Sequence, residues 1–325
     1  MQNVLEKLSK NKIKKLFLGY NLTDGLLFKI AIYVLLISIG FIYIYPMLYM
    51  LSISMQSYTD IINPSVSWIP SSWYPENFLK AFKVLKYWET LGTSLLVTLL
   101  PAVIQTAVTA VIGYGLAKFE FPGKNFIFVF ILLTFVIPQQ VYTIPKYVIF
   151  NDMGLLGCPL SIILPALFGQ GVNSAIFILI NRQFFSMAPK AFDEAAEIDG
   201  AGELKIFFNI NLPLAAGAIL TTILFSFVWY WNETYISGLF LEGEFKSLQI
   251  RLLNFTSEFS SMEGSTAEMN EGVRLAATLL IILPMLIVYL CLQRYFIEGV
   301  ERSGIAGELK LWKKVHWLLL HLWYY

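Results

Sequence analysis

Five uncharged amides lie within long apolar runs of this sequence: Gln105, Gln139, Gln140, Gln170 and Asn173. An amide both donates and accepts hydrogen bonds, so a set of them suits contact with a neutral, hydroxyl-rich solute. The same groups serve equally well to bond one membrane helix to another. A second cluster, Trp229-Tyr230-Trp231-Asn232, closes an apolar run. Its aromatic faces can stack on a ring while Asn232 holds a hydroxyl, although an aromatic belt at a membrane surface gives the same pattern. Other chemistry is scarce. His316 and His321 both fall in the last ten residues, and Cys158 and Cys291 lack CxxC spacing. No GxxxxGK[ST] phosphate loop occurs. The residues therefore suggest no catalytic centre, no metal site, no disulfide framework and no bound cofactor.

The elements that position these residues follow from composition. The chain has 325 residues, 57% of them hydrophobic and 14% charged, with a mean hydropathy of +0.65. Soluble domains carry about 25% charged residues, so a soluble enzyme, a nucleic-acid binder and a disordered scaffold are excluded. The net charge of +1 provides no long-range field for a polyanion. A membrane span needs roughly 20 apolar residues. Six runs meet that requirement: 30–51, 95–117, 126–148, 158–180, 214–231 and 275–292. Pro138 and Pro145 fall inside the third, which neighbouring helices must then compensate. The first run lacks a small-x-small cleavage site and is too long for a signal peptide, so it is expected to stay in place. Alternate connections carry Lys and Arg unevenly, sixteen against six. That bias predicts cytoplasmic N- and C-termini in a multi-pass protein of the cell membrane.

Residues 1–29 form a basic leader with six lysines and interspersed Val4, Leu5, Leu8, Ile13 and Leu16. It reads either as a helix lying on the membrane surface or as a merely orienting tail. The informative connection is 181–213, on the side assigned to the cytoplasm. Pro189 suits the first turn of a helix, and Asp193, Glu194 and Glu197 favour its positive end. Phe192, Ala195, Ala196 and Asp199 recur at helical spacing and are expected on one face, where two alanines would let a partner's backbone approach. Gly200 and Gly202 then stop the helix. A short, acidic, small-faced helix between two spans reads as a docking element that passes motion between a cytoplasmic partner and the membrane.

In full, the pattern is Glu194-Ala195-Ala196, three residues, Gly200, nine residues, then Ile210-x-Leu212-Pro213. It resembles the EAA loop of ATP-binding-cassette importer permeases. From about Tyr20 to Gly307 the chain is similar to the carbohydrate-uptake branch of the type I permeases, specifically the second membrane subunit of maltose-type systems. Segments that carry the likeness include Tyr74-Pro75-Glu76-Asn77-Phe78, Ile137-Pro138 with Ile144-Pro145, Gly154-Leu155-Leu156, and Gln293-Arg294-Tyr295-Phe296 with Gly299. The resemblance implies an all-α, MetI-like permease fold of six spans over 30–307. It also implies a heterodimer with a second permease, two cytoplasmic ATPase subunits carrying ATP and magnesium, and an extracytoplasmic sugar-binding protein. Glu194, Ala195, Ala196, Asp199, Gly200, Ile210, Leu212 and Pro213 would form the ATPase-coupling segment. Gln105, Gln139, Gln140, Gln170, Asn173, Trp231 and Asn232 are the candidates for the solute pathway. Two stretches depart from the pattern: 261–274 is more charged than such permeases usually are, and 308–325 extends past their usual end.

The expected activity is passage of a sugar or oligosaccharide by alternating access, with no hydrolysis by this chain. The same machine with peptide, amino-acid or anion cargo is the nearest rival. Anions would call for positive charge well inside the spans, and the sequence places none there. An ion-coupled transporter would need a buried carboxylate, and the six runs contain none.

Overall fold

The computed structural model describes residues 25–300 except 242, 244 and 264–269. Residues 1–24 of the basic leader and the extension 308–325 lie outside the described residues. In chain order the helices are α1 (Leu26–Ser54), α2 (Tyr58–Ile61), α3 (Glu76–Val84), α4 (Tyr87–Lys118), α5 (Lys124–Val136) and α6 (Gln139–Asp152). There follow α7 (Leu160–Leu167), α8 (Ser174–Met187), α9 (Lys190–Ile198) and α10 (Glu203–Ile206). A π-turn over Phe207–Asn211 leads to α11 (Leu212–Leu214), α12 (Ala216–Asn232), α13 (Tyr235–Phe240), α14 (Leu248–Leu253), α15 (Phe255–Glu263) and α16 (Glu271–Val300). The chain divides into two units, one within 1–81 and 268–279 and the other within 82–267 and 280–325.

In the first unit, α1 is apolar all round and its side chains stay exposed along nearly its whole length. A helix of that kind is at home only in lipid or in a large core. Its C-terminal carbonyls have no helical partners of their own. Asn77, fully buried, donates from Nδ2 to the carbonyls of Ser54 (3.1 Å) and Gln56 (2.8 Å). The following loop folds back on the helix through Trp68, whose ring meets Tyr45 and Tyr49 edge-on.

In the second unit α4 is the central element, packed against α7, α8 and α12. At 32 residues it is ~48 Å long, more than the hydrocarbon thickness. Thr98, Ala102, Gln105, Thr109 and Gly113 recur every three or four residues, and all are small or polar. Thr98, Ala102, Gln105 and Thr109 are buried. Such a stripe lets helix backbones approach and supplies interhelical hydrogen bonds in place of a hydrophobic drive. At Gly113 a Cβ would come within 2.7 Å of the Asn181 Cβ and 2.8 Å of the Arg182 backbone nitrogen, so α4 and α8 touch nearly backbone to backbone.

The six-span expectation is met in part. Helices α1, α4 and the Glu271–Gln293 portion of α16 are each long and apolar enough to cross a membrane. Two bent pairs qualify if each counts as one span: α5 with α6, bent by 97°, and Glu203–Leu214 with α12, bent by 77°. The described residues thus hold three to five candidate spans. The run 158–180 is not a continuous helix but α7 and α8 joined by 168–173. Gly169, at φ +68°, terminates α7 with two reversed hydrogen bonds, Gln170 N–H to Pro165 O and Gly169 N–H to Ala166 O. A left-handed glycine after the last turn is a standard helix stop, even in an otherwise apolar run. The third run breaks at Ile137, which is extended as a residue before proline prefers.

Beyond α13, Glu258 takes Lys246 (2.8 Å) and Arg251 (3.1 Å) on its two oxygens. The Leu248 N–H ties this segment to the Ser94 hydroxyl of α4. Burial pushes the Glu258 carboxyl up, but the Lys246 hydrogen bond and the charges of Arg251, Lys246 and Lys86 outweigh it and hold the carboxyl below its ordinary range.

Two outcomes are expected. Gly113→Leu should insert yet unfold at lower temperature, by about 1–3 kcal/mol of overpacking, read by thermal unfolding in detergent. Because the Glu258 carboxyl is lowered in the folded state, its stabilisation is present above the unfolded carboxylate pKa and is lost as pH falls through the folded one. The stability advantage of the wild type over Glu258→Gln should therefore shrink on acidification from neutrality, in the same assay.

Candidate functional site

The coupling candidates are built around α9. Its first turn places Asp193 against the end of α4, where Lys118 Nζ lies 2.7 Å from Asp193 Oδ2. The other carboxylate oxygen accepts from Asn211 Nδ2 at 2.7 Å, and the Lys118 ammonium also reaches the Ala188 carbonyl. Both side chains of the ion pair are largely buried, at 11% and 16% exposure. A pair this well desolvated costs several kcal/mol to break from one side. Asp193 therefore fastens α9 to α4 and to the π-turn before α12. The sequence reading assigned it only to the helix dipole, because Lys118 and Asn211 are 75 and 18 residues away.

Behind this clamp sits an aromatic knot. Tyr114 of α4 meets Phe185 of α8 at 5.4 Å and Phe207 of the π-turn at 4.8 Å, and Ala110 and Ala215 complete the cluster. At the far end of α9 the Gly200 N–H bonds to Glu197 O and the Ala201 N–H to Ala196 O. Gly200 stands at φ +78°, the left-handed stop its spacing predicts.

The expected shared face of α9 divides. Ala196 is buried within the chain, whereas Phe192, Ala195 and Asp199 are exposed. Asp193 and Ala196, three residues apart, turn inward together, so the small size of Ala196 serves the packing of α9 on its own chain rather than a partner's approach. The outer surface instead carries Phe192 (51% exposed), Ile198 (87%) and, from α10, Leu204 (75%). Glu194 lines the groove between α9 and α4. Ile210 lies in the π-turn and Leu212-Pro213 begin α11. Pro213 has no N–H to donate, which suits the change of helix type at this point.

The solute-pathway candidates separate into three groups. Gln139, Gln170 and Asn173 come together around a cavity of about 230 Å³ at the break between α7 and α8, with Pro138, Tyr142 and Ser174. A narrow recess of about 20 Å³ adjoins it, sharing Gln139, Tyr142 and Gln170 and adding Lys146, Ser161 and Tyr230. Gln105 lines neither. Fully buried, it donates to Val172 O (2.8 Å) and Ser226 Oγ (3.1 Å) and accepts from the Tyr230 hydroxyl (2.8 Å). The Tyr230 hydroxyl in turn accepts from the Val172 N–H. Gln105 thus holds the loop that lines the cavity, the interhelical role open to it from the start.

Gln140 is exposed and lines neither cavity. Trp231 is buried against Phe227, and Asn232 is exposed with its amide on the Val228 carbonyl. Of the aromatic cluster only Tyr230 reaches the recess, because neighbours on a helix point about 100° apart. Lys146, near the end of the third apolar run, stands in the recess, with Phe150 and Phe240 rings each 5.5 Å from its ammonium. Among the described residues no cluster of His, Cys, Asp or Glu suits a metal ion.

Residues 109–302, more than half of the chain, match the family model described as "Binding-protein-dependent transport system inner membrane component". The chain belongs to that family. It is 30% identical over 266 residues to the probable ABC transporter permease protein YurM of Bacillus subtilis, covering 81% of this chain and 84% of that one. It is 27% identical to the arabinooligosaccharides transport system permease protein AraQ of Halalkalibacterium halodurans, covering 83% and 93%. Among solved structures it matches a chain of a bacterial ABC transporter involved in the import of the acidic polysaccharide alginate, with a TM-score of 0.71 and 26% identity over 83% of this chain and 96% of that one. The all-helical permease fold expected from the sequence is therefore that of the family.

The clamp has a testable signature. Lys118→Met alone should leave Asp193 a buried, unpaired charge and cost roughly 3 kcal/mol. Adding Asp193→Asn, which keeps the Asn211 contact, should restore much of that loss in a thermal-unfolding double-mutant cycle.

Proposed function

We propose that this chain is a membrane-spanning permease subunit of an ATP-driven importer that passes a carbohydrate by alternating access. The observation that carries the coupling half of this reading is the Lys118–Asp193–Asn211 clamp. It makes α9, the end of α4 and the π-turn before α12 move as one piece, while Phe192, Ile198 and Leu204 stay uncovered for a partner. Glu194, Ala195, Ala196, Asp199, Gly200, Ile210, Leu212 and Pro213 belong to that coupling segment. Two cytoplasmic ATPase subunits, carrying ATP and magnesium, dock against it.

A second permease and an extracytoplasmic binding protein complete the machine. The layout is six spans over 30–307 in the cell membrane with both termini cytoplasmic, preceded by the leader and followed by the 308–325 extension. The carbohydrate assignment is supported by the names of relatives, one for arabinooligosaccharides and one for the polysaccharide alginate. It is supported too by the cavity that gathers Gln139, Gln170 and Asn173, whose amides suit hydroxyls. Trp231 and Asn232 are left out of the pathway.

The test is recovery of partners from native membranes in mild detergent. Tagged wild type should bring down an ATPase, a second permease and a binding protein, and the chain purified alone should hydrolyse no ATP. Ile198→Asp should reduce the ATPase recovered at least tenfold while the second permease stays. Gly200→Pro cannot adopt the required φ and should abolish uptake with the chain still inserted. Undiminished ATPase recovery with Ile198→Asp and wild-type uptake with Gly200→Pro would remove the coupling assignment.

A further inference from the structure

The break between α7 and α8 carries more than amides. Ser174, first residue of the 14-residue helix α8, is 4% exposed, lines the larger cavity, and its hydroxyl has no hydrogen-bond partner. A helix N-terminus presents the positive end of its dipole together with unpaired N–H groups. A buried, unpartnered donor beside it is costly unless a ligand satisfies it. In the adjoining recess stands Lys146, its ammonium over the Phe150 and Phe240 rings. Among the described residues no carboxylate lies within ion-pair distance of it. The charge of Glu233 acts on it, but the Glu233 oxygens already accept the N–H groups of Tyr235, Ile236 and Ser237. Neither cavity has an Asp or Glu in its lining.

We infer that this pair of cavities is an anion-receiving subsite, and that the cargo is an acidic oligosaccharide of the uronate class. The inference rests on the carbohydrate reading above and narrows it. The dimensions assign the parts. A recess of about 20 Å³ has room for only about one water, so the carboxylate sits across its mouth and not wholly inside it. The sugar ring stays in the 230 Å³ cavity, where Gln139, Gln170 and Asn173 meet its hydroxyls. At that mouth the charge faces Lys146 of the recess, a point charge, and Ser174 of the larger cavity, a donor at the helix terminus. The amides alone would accept neutral and acidic sugars alike, so Lys146 sets the preference.

The experiment is uptake by source cells deleted for this chain and complemented with wild type or a variant. The probes are labelled oligogalacturonates and oligomannuronates of two to four rings, against arabino-, xylo- and gluco-oligosaccharides of the same lengths. Wild type should take up the acidic panel. Lys146→Gln should raise its half-saturating concentration at least tenfold, and Lys146→Arg should stay within threefold of wild type. Ser174→Ala, the milder change, should raise it three- to tenfold. Any residual uptake of neutral sugars should change less than twofold in all three. Uptake of neutral sugars only, or acidic uptake indifferent to Lys146→Gln and Ser174→Ala, overturns the inference and leaves the carbohydrate reading standing. Equal loss of both panels in Lys146→Gln, with the chain inserted at wild-type level, makes Lys146 structural and also overturns it. Uptake of neither panel by wild type overturns the carbohydrate reading and the inference with it.

Discussion

A break between two buried helices is tolerable only where protein side chains satisfy the backbone groups it releases. In this chain that duty falls on Gln105 and Tyr230. Both backbone groups of Val172, between α7 and α8, are taken up: the carbonyl by Gln105 of α4 and the N–H by Tyr230 of α12. The two side chains also bond to each other. Gly171 lies so close to both that a Cβ there would overlap the Gln105 Oε1 and the Tyr230 hydroxyl. The cavity exists because this network holds the loop open-ended and fixed at once.

The other end of the same scaffold answers a different need. There α9 is fastened on one side and uncovered on the other. The Asp193 clamp and the Tyr114–Phe185–Phe207 knot fasten the inner face of α9 and the π-turn to α4 and α8. The outer face keeps its apolar side chains uncovered. Because α4 carries Lys118 and Tyr114 at one end and Gln105 nearer its middle, one helix touches both α9 and the cavity loop. Packed side chains thus connect α9 with the break between α7 and α8.

Charge is used sparingly, which is why each case is informative. Asp193 and Lys118 are paired, and Glu258 is shared by Lys246 and Arg251. Lys146 is held by aromatic faces and meets no such carboxylate among the described residues. A cation kept partly desolvated without an ion-pair partner costs stability, and among the described residues it is offset by two ring contacts and the charge of Glu233. That asymmetry, together with the unpartnered Ser174 hydroxyl, separates the cavity from an ordinary polar gap between helices.

Local rules made much of this protein readable. Apolar run length gave the membrane class, and proline and glycine positions gave the ends of α9, since helix stops depend on a few adjacent dihedrals. The loop spacing from Glu194 to Pro213 carried the family, confirmed over 109–302. The Gly169-Gln170-Gly171 stop was equally local and was passed over because run length alone was weighed there. Other features depend on residues far apart in sequence. Gln105 became a positioning residue through Val172 and Tyr230, Asp193 a clamp through Lys118 and Asn211, and Lys146 a cavity residue through Phe240 and the bend at Pro138. Hydropathy and spacing determine which segments become helices, because those preferences act over a turn or two. Which polar groups meet depends on how the helices cross, and only the packed structure decides that.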